Sequence, residues 1–341
     1  MSVLHLIFLR FGLYAVPPLR CGAASIPQPM NGITMPGSFC TMAYFSKLFA
    51  HFVVIRPMFN LKYKRMKRMS LRFLSAVSAI VFFAACNNET ATTETKEPVL
   101  KEESITYTGD SVTMNGFVVY DESIEGARPA VLVVPEWWGL TDYGMMRARE
   151  LAKLGYIAMA IDMYGNGKTA DNPDSAGAFA KPFYQNPQMA KSRIEAAIAK
   201  IKTYPQTDAT NVAAIGYCFG GAMVLNTARM GIDLKGVVSF HGNLVGTPLN
   251  KDLLKSKILV CHGAADPFVP VEEVAKFKSE MDSSGIAYTF KEYADAVHAF
   301  TNPNATAMGE KFKIPIKYNA AADTASWNDM KGFFTSLFQQ Q

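Results

Sequence analysis

A chain of 341 residues, 49% of them hydrophobic, is long enough for one large α/β domain with additional sequence, or for two small domains. Its formal net charge of +5 is unevenly placed: residues 1–86 carry ten Lys or Arg and no Asp or Glu, which leaves 24 basic against 29 acidic residues in 87–341. The folded part is therefore mildly acidic, which excludes the clustered basic face that a nucleic-acid partner needs. The five cysteines (Cys21, Cys40, Cys86, Cys218 and Cys261) form no CxxC pair and suggest no disulfide framework, and no residue pattern calls for a metal or another cofactor.

The front of the chain does not read as fold. Residues 66–86 run MKRMSLRFLSAVSAIVFFAAC. Lys67, Arg68 and Arg72 form a basic n-region, an apolar run follows from Phe73 to Phe83, and Ala84 and Ala85 precede Cys86. This is the layout of a secretory signal. Small residues before a cysteine resemble a bacterial lipoprotein signal, which implies Cys86 as the lipidated first residue of an exported, membrane-anchored protein. Phe83 is a less usual residue three before that cysteine. The competing reading, a transmembrane anchor, needs a span of about 20 apolar residues, longer than this run. The segment 87–103, rich in Thr and Glu, reads as a polar tether. A signal should begin a protein, so residues 1–65 are expected to be a non-native or disordered extension, with the true start at Met66 or Met69.

From 104 to 341 the apolar pattern alternates between strand and helix. Ile105–Thr108 and Val112–Val119 predict an antiparallel hairpin at a sheet edge, and Ala130–Val134 a strand buried on both faces. Asp142 is placed to cap a helix whose apolar face holds Met145, Ala148, Leu151 and Ala152. A strand over Tyr156–Ile161 and a helix over Met189–Ile201 come next, then a strand over Val212–Gly216 and a helix from about Gly220. Buried strands at Gly236–Phe240 and Ile258–Cys261, a helix at Val271–Met281, a strand at Tyr288–Tyr293 and a closing helix at Thr324–Phe338 complete the domain. Strands alternating with helices of this length predict a doubly wound, mostly parallel α/β sheet with helices on both faces.

Gly216-Tyr217-Cys218-Phe219-Gly220-Gly221 follows one of those strands and opens a helix. That is the context of a nucleophile elbow, with cysteine in place of the commoner serine. Small neighbours let backbones approach a strained turn, and the helix N-terminus behind it favours a thiolate and a developing oxyanion. The plainer reading is a buried structural cysteine between two glycines, and the partners decide between the two. In an α/β-hydrolase the order along the chain is nucleophile, acid, base. His5 and His51 precede the domain, and His241 and His262 end strands. Only His298 lies in a loop after the last strand, where the base is expected. His262-Gly263-Ala264-Ala265-Asp266 is an acid-bearing turn, so Asp266 is the candidate acid, with His262 expected to support the turn. Asp295 is nearer His298 in sequence but shares its loop and is the weaker candidate.

GYCFGG, HGAADPFVP and the AVHAF segment resemble the dienelactone hydrolases, also called carboxymethylenebutenolidases, over about residues 105–340. Pro135-Glu136-Trp137-Trp138-Gly139 agrees, since that family carries a glutamate beside its active cysteine. The resemblance implies an α/β-hydrolase fold, Cys218 as nucleophile, His298 as base and Asp266 as its orienter. It implies an oxyanion hole from the backbone N–H groups of Phe219 and Trp137, and Glu136 as a gate that favours the neutral thiol until substrate binds. The chemistry expected is cleavage of a small-molecule ester, lactone or thioester through an acyl-enzyme.

The sequence departs from the family where a substrate carboxylate would be held. The family's arginine four residues after the histidine is Asn302 here, and 164–190 holds Lys168 and Lys181 but no Arg. A lysine offers charge without a bidentate fork. Trp137, Trp138, Tyr164 and Phe300 are candidates for an aromatic pocket. Two other functions remain open at this level: a peptidase or acyltransferase using the same three residues, and a ligand-binding lipoprotein that keeps the fold without the chemistry.

Overall fold

The computed structural model describes residues 97–339. The extension, the signal-like segment, Cys86 and most of the expected tether lie outside the described residues. Among those described, no helix is long and apolar enough to cross a membrane.

Eight strands form one sheet: β1 (Leu100–Gly109), β2 (Val112–Asp121), β3 (Arg128–Val134), β4 (Ile157–Ala160), β5 (Thr207–Tyr217), β6 (Gly236–Phe240), β7 (Lys257–Gly263) and β8 (Tyr288–Tyr293). Their spatial order is β1-β2-β4-β3-β5-β6-β7-β8. β1 and β2 pair antiparallel, β2 joins β4 antiparallel, and every later pairing is parallel. The expected edge hairpin is thus present and longer than the apolar pattern suggested. β1 begins at Leu100, inside the stretch expected to be tether. Its polar residues do not oppose this, because an edge strand can leave every second side chain in water, and the burial of β1 alternates accordingly.

The central strands are buried along their Val, Ile, Leu and Ala runs: all of β4 and β6, and β3 from Ala130 to Val134. Side chains alternate between two cores. Ala130, Leu132 and Val134 of β3 belong to one core, to which α3 (Pro187–Ile201), α4 (Phe219–Arg229) and α5 (Val271–Ser284) contribute Ile194, Ile198, Phe219, Val224 and Phe277. Val131 and Val133 belong to the other, to which α1 (Asp142–Lys153) and α7 (Ala320–Phe338) contribute Ala148, Leu151, Met330 and Phe334. This is a doubly wound sheet with helices on both faces.

Three local expectations change. Asp142 is the first residue of α1 rather than its cap, and the cap position belongs to Thr141. Asp142 instead places a negative charge in the first turn, where the helix dipole favours it. α2 (Pro173–Gln185) and α6 (Ala305–Phe312) were not anticipated. α7 starts at Ala320, capped by Asn319, whose side chain accepts from the Ala322 N–H.

The path of the chain places the site. β3 leads to β4 on one side, and the chain then crosses back to β5 on the other side of β3. This reversal between β3 and β5 opens a crevice at the carboxyl ends of the strands, the usual ligand position in such sheets. The loops after β3, β5, β6, β7 and β8 all reach it.

Candidate active site

β5 ends in the elbow. Cys218 has φ 52° and ψ −116°, a left-handed conformation for a residue with a side chain, and it caps α4. Holding such a residue costs roughly 1–3 kcal/mol unless its surroundings fix it. The glycines explain how the turn closes. A Cβ on Gly216 would collide with the Gly220 carbonyl, and one on Gly220 with the Val134 carbonyl of β3. The Cys218 N–H is shared between the Phe240 carbonyl oxygen, 3.0 Å away, and His241 Nδ1, 3.1 Å away. The Cys218 carbonyl accepts from the Ala222 N–H at 3.1 Å and opens the helix.

The residues expected to act together converge. His298 Nε2 lies 3.0 Å from Cys218 Sγ, and His298 Nδ1 lies 2.8 Å from Asp266 Oδ2. Asp266 follows β7 and His298 follows β8, neighbouring strands whose loops are tied by the Ala265 N–H to the Ala296 carbonyl at 3.0 Å. The second oxygen of Asp266 accepts from the Phe268 N–H at 2.8 Å, so the carboxylate is held at both oxygens. Burial opposes charge on His298, but the Cys218 sulfur and the Asp266 carboxylate outweigh it and raise the ring to about 10. Asp295 is exposed and at φ 58°, outside this relay. The His262 side chain makes no hydrogen bond to the acid turn among the described residues. Its ring lies against Phe290, and Nδ1 has no partner among the described residues.

Glu136 is buried beside the relay. Its Oε2 accepts from Asn302 Nδ2 at 2.7 Å. Burial raises this carboxyl to about 7, while the Asn302 hydrogen bond and the charges of His298 and Arg147 limit the rise. The position where the sequence lacks the family's arginine is therefore the residue that touches Glu136. A neutral amide satisfies the carboxyl without neutralising its charge, so burial dominates. Cys218 Sγ pairs with His298, and the hydrogen-bond partner of Glu136 is Asn302 rather than the thiol. The backbone N–H groups of Phe219 and Trp137 donate to no protein acceptor among the described residues.

A cavity of about 400 Å³ opens above Cys218 and His298, with Glu136 in its lining. Trp137, Trp138, Tyr184, Phe219, Phe268, Ile314 and Ile316 make its apolar walls, and Lys181 on α2 is the one Lys or Arg in its lining among the described residues. Trp137 and Trp138 thus line the pocket as expected. Tyr164 and Phe300 do not. The Tyr164 ring packs behind Phe219 and its hydroxyl donates to the Trp137 carbonyl at 2.8 Å, so it braces the wall. Phe300 is fully buried among His241 and Tyr293 in the core on the α1 and α7 side.

His241, the residue after β6, also reaches the elbow. Its Nε2 lies 2.7 Å from Thr301 Oγ1, which lies 2.7 Å from the Tyr143 hydroxyl. Arg147 donates to the Thr301 carbonyl at 2.6 Å and pairs with Asp323. Burial, then the charges of His298 and Arg147, hold His241 well below the ordinary histidine range. No local motif marks it. Only the pairing of β6 beside β5 brings a strand-end histidine to the elbow.

This sheet, with an elbow after β5 and partner residues after β7 and β8, defines an α/β-hydrolase. The chain belongs to the dienelactone hydrolase family, whose model matches residues 114–338. The crystal structure of the dienelactone hydrolase-like promiscuous phosphotriesterase P91, from metagenomic libraries, shares 35% identity at a TM-score of 0.66, covering 70% of this chain and 98% of that one. A solved structure called m3DLH shares 33% at a TM-score of 0.67, covering 70% and 99%. Protein usf of Aquifex pyrophilus is 29% identical over 212 residues, 60% of this chain and 87% of its own length. The protein is a hydrolase of this family.

Proposed function

We propose that this hydrolase cleaves neutral, apolar carboxylic esters, lactones or thioesters through a covalent acyl-cysteine. The observation that carries the reading is the two-bond relay from Cys218 through His298 to Asp266 at the floor of an apolar cavity. The Cys218 thiolate attacks the acyl carbonyl, and the oxyanion is received by the N–H groups of Phe219 and Trp137. The leaving oxygen or sulfur takes its proton from His298, and the thioester remains on Cys218. His298 then removes a proton from water, which attacks the thioester and returns the thiol. Asp266 keeps the ring oriented with its proton on Nδ1.

Two features support a neutral substrate. The walls are aromatic and aliphatic with a single lysine, and a buried carboxyl that titrates near neutrality lines the cavity. A carboxylate on the substrate would meet repulsion there without a bidentate partner. Turnover of a neutral p-nitrophenyl acyl ester tests the reading. Wild type is expected to turn over and Cys218→Ala to retain less than about one part in a thousand. Equal rates would leave a binding protein on this fold. A second reading, a neutral phosphotriester in the same cavity, is favoured by the 35% identity to a phosphotriesterase. Comparing both substrate types on one preparation separates the two.

A further inference from the structure

Hydrogen-bond chemistry fixes the state of the His241 ring. A backbone N–H can only donate, so Nδ1, 3.1 Å from the Cys218 nitrogen, carries no proton. Nε2 therefore bears the hydrogen and donates to Thr301 Oγ1 at 2.7 Å. A doubly protonated ring would set two N–H groups against each other at Cys218. Thr301 stands three residues after His298 in the same loop, and the His241 ring also lies edge-on to His298, with centroids 5.3 Å apart. One side of the ring thus holds the backbone of Cys218, and the other holds the loop of His298.

The backbone around this contact is unusual. His241 has φ 41° and Cys218 φ 52°, so two left-handed residues on neighbouring strand ends are bonded to each other. Neither conformation is favoured alone, and such residues persist only when the surroundings over-determine them. The His241 N–H is anchored to the Cys261 carbonyl of β7 at 2.9 Å, which fixes the ring to the sheet. The groups facing it are His298, Thr301, Tyr217 and, beyond Thr301, Tyr143 and Arg147.

We infer that His241 is a positioning residue: its neutral ring sets the nucleophile elbow and the His298 loop at a fixed distance from each other. The inference rests on the proposed pairing of Cys218 with His298. A phenyl ring would fill nearly the same volume, so what a phenylalanine loses is the acceptor at Nδ1 and the donor at Nε2. Misplacement of reacting groups by about 1 Å can cost a factor on the order of 100 in rate.

The test uses the full chain and two readouts: the iodoacetamide alkylation rate of Cys218 against pH, followed by peptide mass, and kcat and KM for a neutral activated ester. In His241→Phe the profile should move upward by about one pH unit, and kcat should fall roughly 10- to 100-fold with KM changed less than about threefold. His241→Asn returns an acceptor near the Nδ1 position and tolerates a left-handed backbone but leaves Thr301 without its donor, so it should recover part of kcat and part of the profile shift. A folded His241→Phe protein with the wild-type profile and kcat would overturn the inference. Should His241→Phe not fold, Thr301→Val removes the partner of Nε2, and an unchanged profile there overturns it equally. Turnover in wild type that persists in Cys218→Ala would instead remove the proposed Cys218–His298 chemistry on which the inference rests.

Discussion

Burial separates the two described thiols. Cys261 lies within β7, fully enclosed, and burial pushes it up to about 12, with the Tyr293 hydroxyl 3.5 Å from its sulfur. Cys218 is partly exposed at the cavity floor beside His298. Brief iodoacetamide treatment should label Cys218 at least about ten times faster than Cys261, read by peptide mass, because the thiolate is the reacting form. Preferential labelling of Cys261 would contradict the elbow. Glu136 gives a second residue-level expectation. Its carboxyl is raised from 4.5 to about 7, so the folded state holds the proton more tightly than the unfolded chain. That contribution to stability is complete below about pH 4.5 and is lost as pH rises through 7, a change on the order of 3 kcal/mol at 1.36 kcal/mol per unit. Glu136→Gln keeps an acceptor for Asn302 and removes the titration. The variant should therefore gain melting temperature relative to wild type at pH 8 and show little gain at pH 4.5. Parallel pH–stability curves would contradict the buried, ionisable carboxyl.

At the scale of elements, the elbow depends on backbone approach. Gly220→Ala sets a methyl group against the Val134 and Pro135 carbonyls, and these belong to a central strand and its exit loop that cannot move cheaply. A loss of about 3 kcal/mol or more in denaturant stability is expected, with Gly285→Ala as a milder control where φ is 70° but nothing crowds the site. The buried strands and the elbow were legible in sequence because continuous apolar runs and a Gly-x-Cys-x-Gly turn each have one structural solution here. The relay was legible through chain order: an acid turn after one strand and a histidine after the last. α2 and α6 were less visible. α2 carries Pro182 inside it and Gly177 on the cavity side, which break the helical pattern, although Asn172-Pro173 marks its start. Tyr164 and Phe300 could not be separated from Trp138 by sequence, because an aromatic in the core and one in a pocket wall obey the same apolar pattern. His241 was invisible for a different reason: its role depends on the register of β6 against β5, a long-range pairing.

For the whole molecule, the sheet gathers loops from five strands at one edge, so most of the proposed chemistry comes from loops on a rigid frame. Export as a Cys86 lipoprotein is proposed from sequence alone. Cys86→Ser should release the protein from membranes or block its processing, as fractionation and intact mass would show; one acyl chain anchors weakly, so multiple acylation is expected. Unchanged retention with the leading segment intact would point to a transmembrane anchor. The central claim, a covalent acyl-cysteine at position 218, is tested most directly by rapid acid quench of the protein with a neutral p-nitrophenyl acyl ester, followed by peptide mass mapping. The account predicts one acyl group on the peptide containing Cys218, formed within a turnover and absent from Cys218→Ala. Turnover with no acyl group on Cys218 at any quench time, or turnover that persists in Cys218→Ala, would contradict it.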